Sequence, residues 1–426
     1  MAKLYNLARM LTPTTGTGTV TLDSAVLGHL TFDQAGVQTG DRVSYGILDG
    51  ANSEVGRGIY DASGPSLTRS VLKSTNSDAA INLSGSAQVI ITALAEDIPD
   101  YRNRVINPQL FWAQAGVGST ADGAYTGIDQ WYALTQTSTV TSSQLTNVAD
   151  GLPSMGRLTQ SQASAQRMGW AQVFESSFVK DLRGKTVTLA AKVRMSAATT
   201  LRYAIIEWTG TADSVTKDVV ASWTNTTFTA GQFFSGTSLT IAGTGSVALS
   251  ASTVTDITLS ASISSSMNNI IIFFWTDSAQ AQTVTLDLGN VFFGQGASAP
   301  ATFDPPPPDV DFRACQRYYW QIPVGTTGAA SFSSGFCFST TNALTVLIPP
   351  VPFRVLPSLA LSNVSHFGVF VANGGGAAAT ALTLNVNSTA GVVRFDITTA
   401  GGLVAGNATL LVTNNASAAI SLSARL

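Results

Sequence analysis

The sequence predicts an all-β protein, with a small N-terminal β domain followed by two antiparallel β-sandwich domains of jelly-roll type. Three observations lead there. Only 11% of the 426 residues are charged, against about 25% in ordinary globular chains. Glutamates number four (Glu54, Glu96, Glu175, Glu207) and lysines six, so the residues that favour helix surfaces are scarce. Thr and Val suit pleated strands and Gly, Asn and Ser suit turns, and these types alternate along many short stretches.

Two composition breaks divide the chain. Residues 96–104 form its densest charge cluster and include Pro99; residues 305–308 are four consecutive prolines, read as an extended polyproline II spacer. The domains are therefore expected at 1–98, 104–304 and 309–426. In the first, Val43, Tyr45 and Ile47 share a face, and Asp49-Gly50 is a hairpin turn signal. Strands are also expected at 56–60, 67–72 and 89–94, with 88–94 apolar on both faces and hence central in a sheet.

In the second domain Val187, Leu189, Ala191 and Val193 point one way along a strand, and 270–275 is apolar on both faces. Val284, Leu286 and Leu288 form one face of another strand, from whose opposite face Asp287 projects. The third domain opens with a helix over 312–319 capped by Asp309 or Asp311. Strands follow at 344–348, 382–386, 392–397, 410–413 and 420–426, separated by turns such as Asn373-Gly374 and Asn414-Asn415.

Composition also excludes functions. The net charge of −3 comes without a Lys/Arg-rich stretch, so no nucleic-acid partner is expected. Two histidines (His29, His366) and two cysteines (Cys315, Cys337) build neither a zinc cage nor a disulfide framework. One Cys315–Cys337 bridge is allowed by count, and two reduced core thiols are the plainer reading. The first twenty residues lack a long apolar core, and no apolar run reaches about 18 residues, so neither a signal peptide nor membrane insertion is expected.

Several stretches carry a resemblance. MAKLYNLARM, GTGTVTL, FDQAGV, GDRVSYGILDG, LTRSVLKSTNS and INLSGSAQVIITALAED in the first domain resemble a small module at the N-terminus of tail-fibre and other virion-attached proteins of α-proteobacterial phages. In the second, Asn107, Leu110, Phe111, Trp112 and Gly116 resemble, in displaced form, the opening of the carbohydrate-binding-module-like jelly rolls of tail fibres. Asp129-Gln130-Trp131 stands where that family has D-R-W, and LRGKTV and TLDLGNV resemble two of its strands. Cys315-Gln316-Arg317-Tyr318-Tyr319 resembles a signature that follows such domains. The resemblance implies a phage fibre protein on the virion exterior, made in the host cytoplasm. Residues 1–98 would bind other virion proteins, the chain would form a homotrimer, and the outer domains would bind a host surface polysaccharide. A capsid head-fibre or decoration protein is the alternative, and a polysaccharide-degrading tailspike the second.

Sugar recognition needs a flat aromatic face ringed by amides and carboxylates. Six of seven tryptophans fall in the second domain. Trp275 lies in an apolar run, and Trp112 and Trp131 match core positions of the resembled family, so all three read as core. Trp208 and Trp223 flank the polar stretch 209–222 and, with Tyr125, are the candidate stacking rings. Asp287, Asn290 and Asn107 are candidate oxygen ligands of a structural calcium, as the resembled jelly rolls imply; otherwise no cofactor is expected. No catalytic residue is assigned. Glu175 and Glu207 share one domain and could in principle act as paired carboxylates, though both also read as ordinary strand edges, and neither histidine sits in a hydrolase or metalloprotease motif.

Overall fold

The structure, a computed structural model, describes residues 3–94, 103–146, 148, 152–300, 302–323, 330–371 and 375–426. Strands dominate, with 46% of residues in strand and 5% in helix. Contacts divide the chain into two compact units, residues 1–100 and 101–426. No helix among the described residues is long and apolar enough to cross a membrane.

Among the described residues of the first unit there are nine strands: β1 (Arg9–Thr12), β2 (Thr15–Gly16), β3 (Val20–Thr21), β4 (Arg42–Asp49), β5 (Asn52–Asp61), β6 (Ser66–Leu67), β7 (Ser70–Ser74), β8 (Leu83–Ser84) and β9 (Ala87–Ile91). Their main sheet runs β1-β9-β4-β5-β6-β3, with β7 also on β5. The β4–β5 hairpin turns at Gly50, whose φ of 59° suits glycine. β9 sits between β1 and β4, the central place its two apolar faces predict. Beneath the sheet, Arg69 and Glu54 form a buried ion pair that Tyr45 and the Ile81 amide complete. Most of the charge cluster at 96–104 lies outside the described residues.

The second unit opens with β10 (Ser119–Thr120), β11 (Tyr132–Thr135), β12 (Val140–Thr146), β13 (Ser154–Thr159), β14 (Met168–Phe174), the short α1 (Ser176–Val179), β15 (Thr186–Met195), β16 (Thr199–Trp208), β17 (Leu239–Leu249), β18 (Thr255–Ser262), β19 (Asn269–Thr276) and β20 (Thr285–Gln295). A six-stranded sheet, β10-β12-β13-β20-β15-β18, packs against a five-stranded one, β11-β14-β19-β16-β17. Val187, Leu189, Ala191 and Val193 point into the core between them. β19 is buried along its whole length because alternate residues enter two cores. Ile270, Ile272 and Phe274 join the core between the sheets; Ile271, Phe273 and Trp275 join a second one on the outer face of the five-stranded sheet.

The rest of this unit comprises α2 (Pro308–Gln316), β21 (Tyr319–Gln321), β22 (Ser331–Cys337), β23 (Asn342–Leu347), β24 (Ser358–Leu361), β25 (Phe367–Val371), β26 (Gly376–Leu384), β27 (Val393–Thr399), β28 (Ala408–Thr413) and β29 (Ile420–Ser423). Strands β22-β23-β27-β26-β25-β28 close into a barrel, and β21-β29-β24 form a small sheet on the same core. The helix starts earlier than the sequence reading has it. Pro308 is its first residue, where a missing amide costs nothing, and Asp309 and Asp311 lie in the first turn, where the helix dipole favours acids. Only Pro305 to Pro307 precede it as spacer. The turn at Asn373-Gly374 lies outside the described residues. Cys315 and Cys337 are free buried thiols in separate clusters.

The jelly roll and the barrel region meet through polar groups. Arg317 and the Tyr318 hydroxyl both donate to Glu175 (2.9 and 2.8 Å). Gln114 Nε2 donates to Tyr319 O (2.9 Å) and to Asp129 Oδ2 (2.8 Å). The Arg425 guanidinium lies over the rings of Tyr125 (4.5 Å) and Tyr319 (4.1 Å), 3.7 Å from Asp129. Burial outweighs this attraction at both ends, raising Asp129 to about 6 and lowering Arg425. Burial raises Asp311, which accepts from the Asn107 amide, to about 6 as well.

A pH dependence follows. Between pH 4 and 6 the folded state holds the Asp129 proton more tightly than the unfolded chain does, so this group's contribution to stability falls as pH rises through that window. Asp129→Asn removes the contribution. The Tm of the variant relative to the parent should therefore climb by roughly 3–8 °C from pH 4 to pH 6 and level off above it, read by calorimetry on the full chain.

Candidate functional site

A glycan platform on Trp208 and Trp223 requires exposed rings, and the structure buries both. Residues 209–238 fold back over the outer face of the five-stranded sheet and bring Val219, Trp223, Phe233 and Phe234 onto it. Trp275 stacks on Phe273 (4.8 Å between centroids) and on Phe233 (5.3 Å), and Trp223 meets both phenylalanines edge-on. Trp208 is 7% and Trp223 9% exposed. The Trp208 indole donates to Thr211 O (2.9 Å), and Trp223 O accepts from Arg167. Tyr125 is half-buried between Lys217 and Arg425, its hydroxyl donates to Leu426 O (3.1 Å), and burial pushes it up to about 12. The expectation of exposed stacking rings is thus corrected at Trp208 and Trp223, while Tyr125 keeps part of its surface exposed with cations against its ring.

The calcium ligands are not brought together either. Asp287 is fully buried on β20, between Arg157 of β13 and Arg194 of β15. Arg157 donates through Nε and Nη2 (2.7 and 2.9 Å), and Arg194 through Nε (2.8 Å). Two guanidiniums thus supply the positive charge that a cation would bring. Asn107 spends its side chain elsewhere. Its Oδ1 accepts from the Phe111 and Trp112 amides, and its Nδ2 donates to the carbonyls of Trp112 and Asp129. Among the described residues no cluster of acidic, His or Cys side chains is arranged for a metal.

Asn290 does occupy a site, on the outer face of the six-stranded sheet. The β15–β20 pairing carries a bulge, with Ala190 opposite Phe292 but Lys192 opposite Gly289. Asn290 sits in the extra position with φ of 46°, a conformation asparagine tolerates. Such bulges re-aim side chains. Here the bulge lets Leu288 and Val291 both face the core, with Phe292 on the outside. The chain leaving β20 then returns over this face, held by Thr188 Oγ1 to Gly296 O (2.8 Å) and Ser260 Oγ to Ala297 O (2.9 Å). The result is a cleft of about 340 Å³. Phe292, Ala190, Pro300 and Phe303 supply its apolar walls, and Asn290, Lys192, Asp256 and Thr258 its polar groups.

The polar rim is lightly engaged: Asn290 Oδ1 accepts a 3.3 Å hydrogen bond from Gln109 Nε2. Lys192 Nζ and Asp256 Oδ1 pair at 2.7 Å with the aspartate 79% exposed, and such surface pairs contribute only about 0–1 kcal/mol to folding. Sequence reasoning singled out neither Pro300 nor Phe303, which follow the last strand it expected in the second domain. Outward-facing Lys192 and Asp256, on strands whose other faces are apolar, were the available signal. Glu175 and Glu207 are unlike this. Both are buried, Glu175 bonding Arg317, Tyr318 and Ser177, and Glu207 bonding the amide and hydroxyl of Ser264.

No protein-family model matches the chain, and no curated protein matches it. Among solved structures, the enzymatically active domain of bacteriophage CBA120 tailspike protein 4 superposes with 13% identity and a TM-score of 0.29, over 46% of this chain and 21% of that one. TmCBM61 in complex with β-1,4-galactotriose has 8% identity and a TM-score of 0.28, over 46% and 99%. The N-terminal cellulose-binding domain of Cellulomonas fimi β-1,4-glucanase C has 16% identity and a TM-score of 0.24, over 39% and 90%.

Buried rings predict a stability phenotype. Trp223→Ala and Trp275→Ala should each cost about 3–5 kcal/mol of unfolding free energy, measured by urea denaturation. Lys192→Ala should stay within about 1 kcal/mol of the parent in the same measurement.

Proposed function

We propose that this chain is an exterior fibre protein of a phage particle that binds a host surface glycan and carries out no reaction. In this reading residues 1–98 attach to other virion proteins, the protein is made in the bacterial cytoplasm, and several copies act together. The observation that carries the reading is the cleft on the outer face of the six-stranded sheet. It combines what a pyranose needs: apolar and aromatic walls for its C–H face, and an amide, a carboxylate, an ammonium and a hydroxyl for its hydroxyls. The binding is weak per site and gains from multiple copies engaging one surface. A non-catalytic role is supported by Glu175 and Glu207, whose carboxylates are already engaged by neighbouring donors.

The test is binding of the full chain to polysaccharide extracted from cells that adsorb it. Phe303→Ala with Asn290→Gly should weaken binding by roughly 10-fold or more, taking base–aromatic stacking as the guide for a lost ring. Glycine keeps the left-handed backbone at 290, so the Tm should hold. Unchanged binding in that variant overturns the cleft. Release of reducing sugar from the polysaccharide by the parent protein overturns the non-catalytic role.

A further inference from the structure

The barrel presents an apolar face that the described residues of its own unit leave open. Register places Val346 of β23 opposite Ser334 of β22, Ser334 opposite Leu410 of β28, and Leu410 opposite Phe370 of β25. All four are exposed, so they form one row across four neighbouring strands. Phe336 lies beside the row on β22, and Ile348 extends it beyond β23. Phe336 is 49%, Phe370 45% and Ile348 75% exposed. Two shallow grooves, of about 450 and 400 Å³, flank the Leu410 ridge.

Charge is absent over this area. None of β22, β23, β25, β26 and β28 contains an Asp, Glu, Lys or Arg. The charged pair Arg394 and Asp396 stands on β27, with Arg394 opposite Val346 at the edge of the row. An apolar centre with a charged border is the layout of an interface. The exposed apolar area is roughly 500 Å², at the upper end of what a monomer leaves open. That is the size of the apolar centre of a standard interface, which buries about 800 Å² per partner. A glycan would find only Ser334 to bond within the row, and a charged partner would find charges only at its border, on β27. Interfaces this apolar belong to permanent homo-oligomers, and ridge and grooves on one face let copies interlock.

We propose that this face of the barrel joins the chain to further copies of itself. The inference does not rest on the glycan cleft, which lies on a different sheet. The full-length protein should run in light scattering or sedimentation at a multiple of its 44.2 kDa. Phe370→Asp with Leu410→Asp should return it to 44.2 kDa with an unchanged far-ultraviolet dichroism spectrum. Because both positions are exposed, the barrel should survive the change.

Should that variant misfold, cross-linking decides. Ser334→Cys lies in the middle of the row, whereas Thr383→Cys lies on β26, the strand across the barrel from β22. Cys315 and Cys337 are buried and do not compete. A short bismaleimide should link copies at least 10-fold more through position 334 than through 383. A parent that stays monomeric, a double aspartate variant that keeps the oligomeric mass, or equal cross-linking at both positions overturns the proposal. Per-chain glycan binding by the monomeric variant separates this outcome from failure of the cleft.

Discussion

The two-sided burial of β19 governs the second unit. A strand with six consecutive large apolar residues, Ile270 to Trp275, exposes half of them whenever only one face of its sheet is covered. This chain covers both faces. The six-stranded sheet takes one, and residues 209–238 take the other with Trp223, Phe233 and Phe234. Around β19 the five-stranded sheet is therefore covered on both faces, exposure being left to its edge strand β17, and the aromatic residues of β19 stabilise the fold. The polar groups and the cleft lie on the outer face of the six-stranded sheet.

Scarce charge is used inward. The three glutamates in the described residues, Glu54, Glu175 and Glu207, are all buried, each bonded by guanidinium, hydroxyl or amide donors. Asp287 follows the same pattern with its two arginines. Buried ions of this kind add little net stability, yet losing one partner strands the other at a cost of about 3–5 kcal/mol, so they fix register. Arg157, Asp287 and Arg194 thereby align β13, β20 and β15, the strands next to the cleft. The surface keeps few charges, such as the exposed pairs Lys73–Asp78 and Lys192–Asp256, among many hydroxyls and amides.

Much of the fold was legible. The alternation from Val187 to Val193, the Asp49-Gly50 hairpin and the doubly apolar β19 each follow from local pattern, and local pattern is what periodicity reads. The site was less legible because it depends on pairing over long distances. Arg157 and Asp287 are 130 residues apart; nothing in either neighbourhood announces the other. Trp208 and Trp223 flank a stretch of polar residues, which suggested exposure. Their burial comes from the return of Phe233 and Phe234 to the sheet, a tertiary event that no window of sequence contains. The bulge at Asn290 breaks the alternation by one residue, so the outward direction of Phe292 contradicts simple counting from Leu286 and Leu288.

The same register logic separates the two surfaces left open. On the six-stranded sheet the outward positions near the bulge carry Lys192, Asn290 and Asp256, so the face is wet and suited to a hydroxylated ligand. On the barrel the outward positions of five strands carry no charge at all, so water is held there only by scattered hydroxyls. A row such as Val346, Leu410 and Phe370 gains by leaving water, whereas the cleft gains by exchanging water for a ligand that bonds equally well. One surface thus favours contact with protein of its own kind and the other favours a polar ligand. If copies join through the barrel as proposed, the clefts held in one assembly multiply, which would turn individually weak sites into firm attachment.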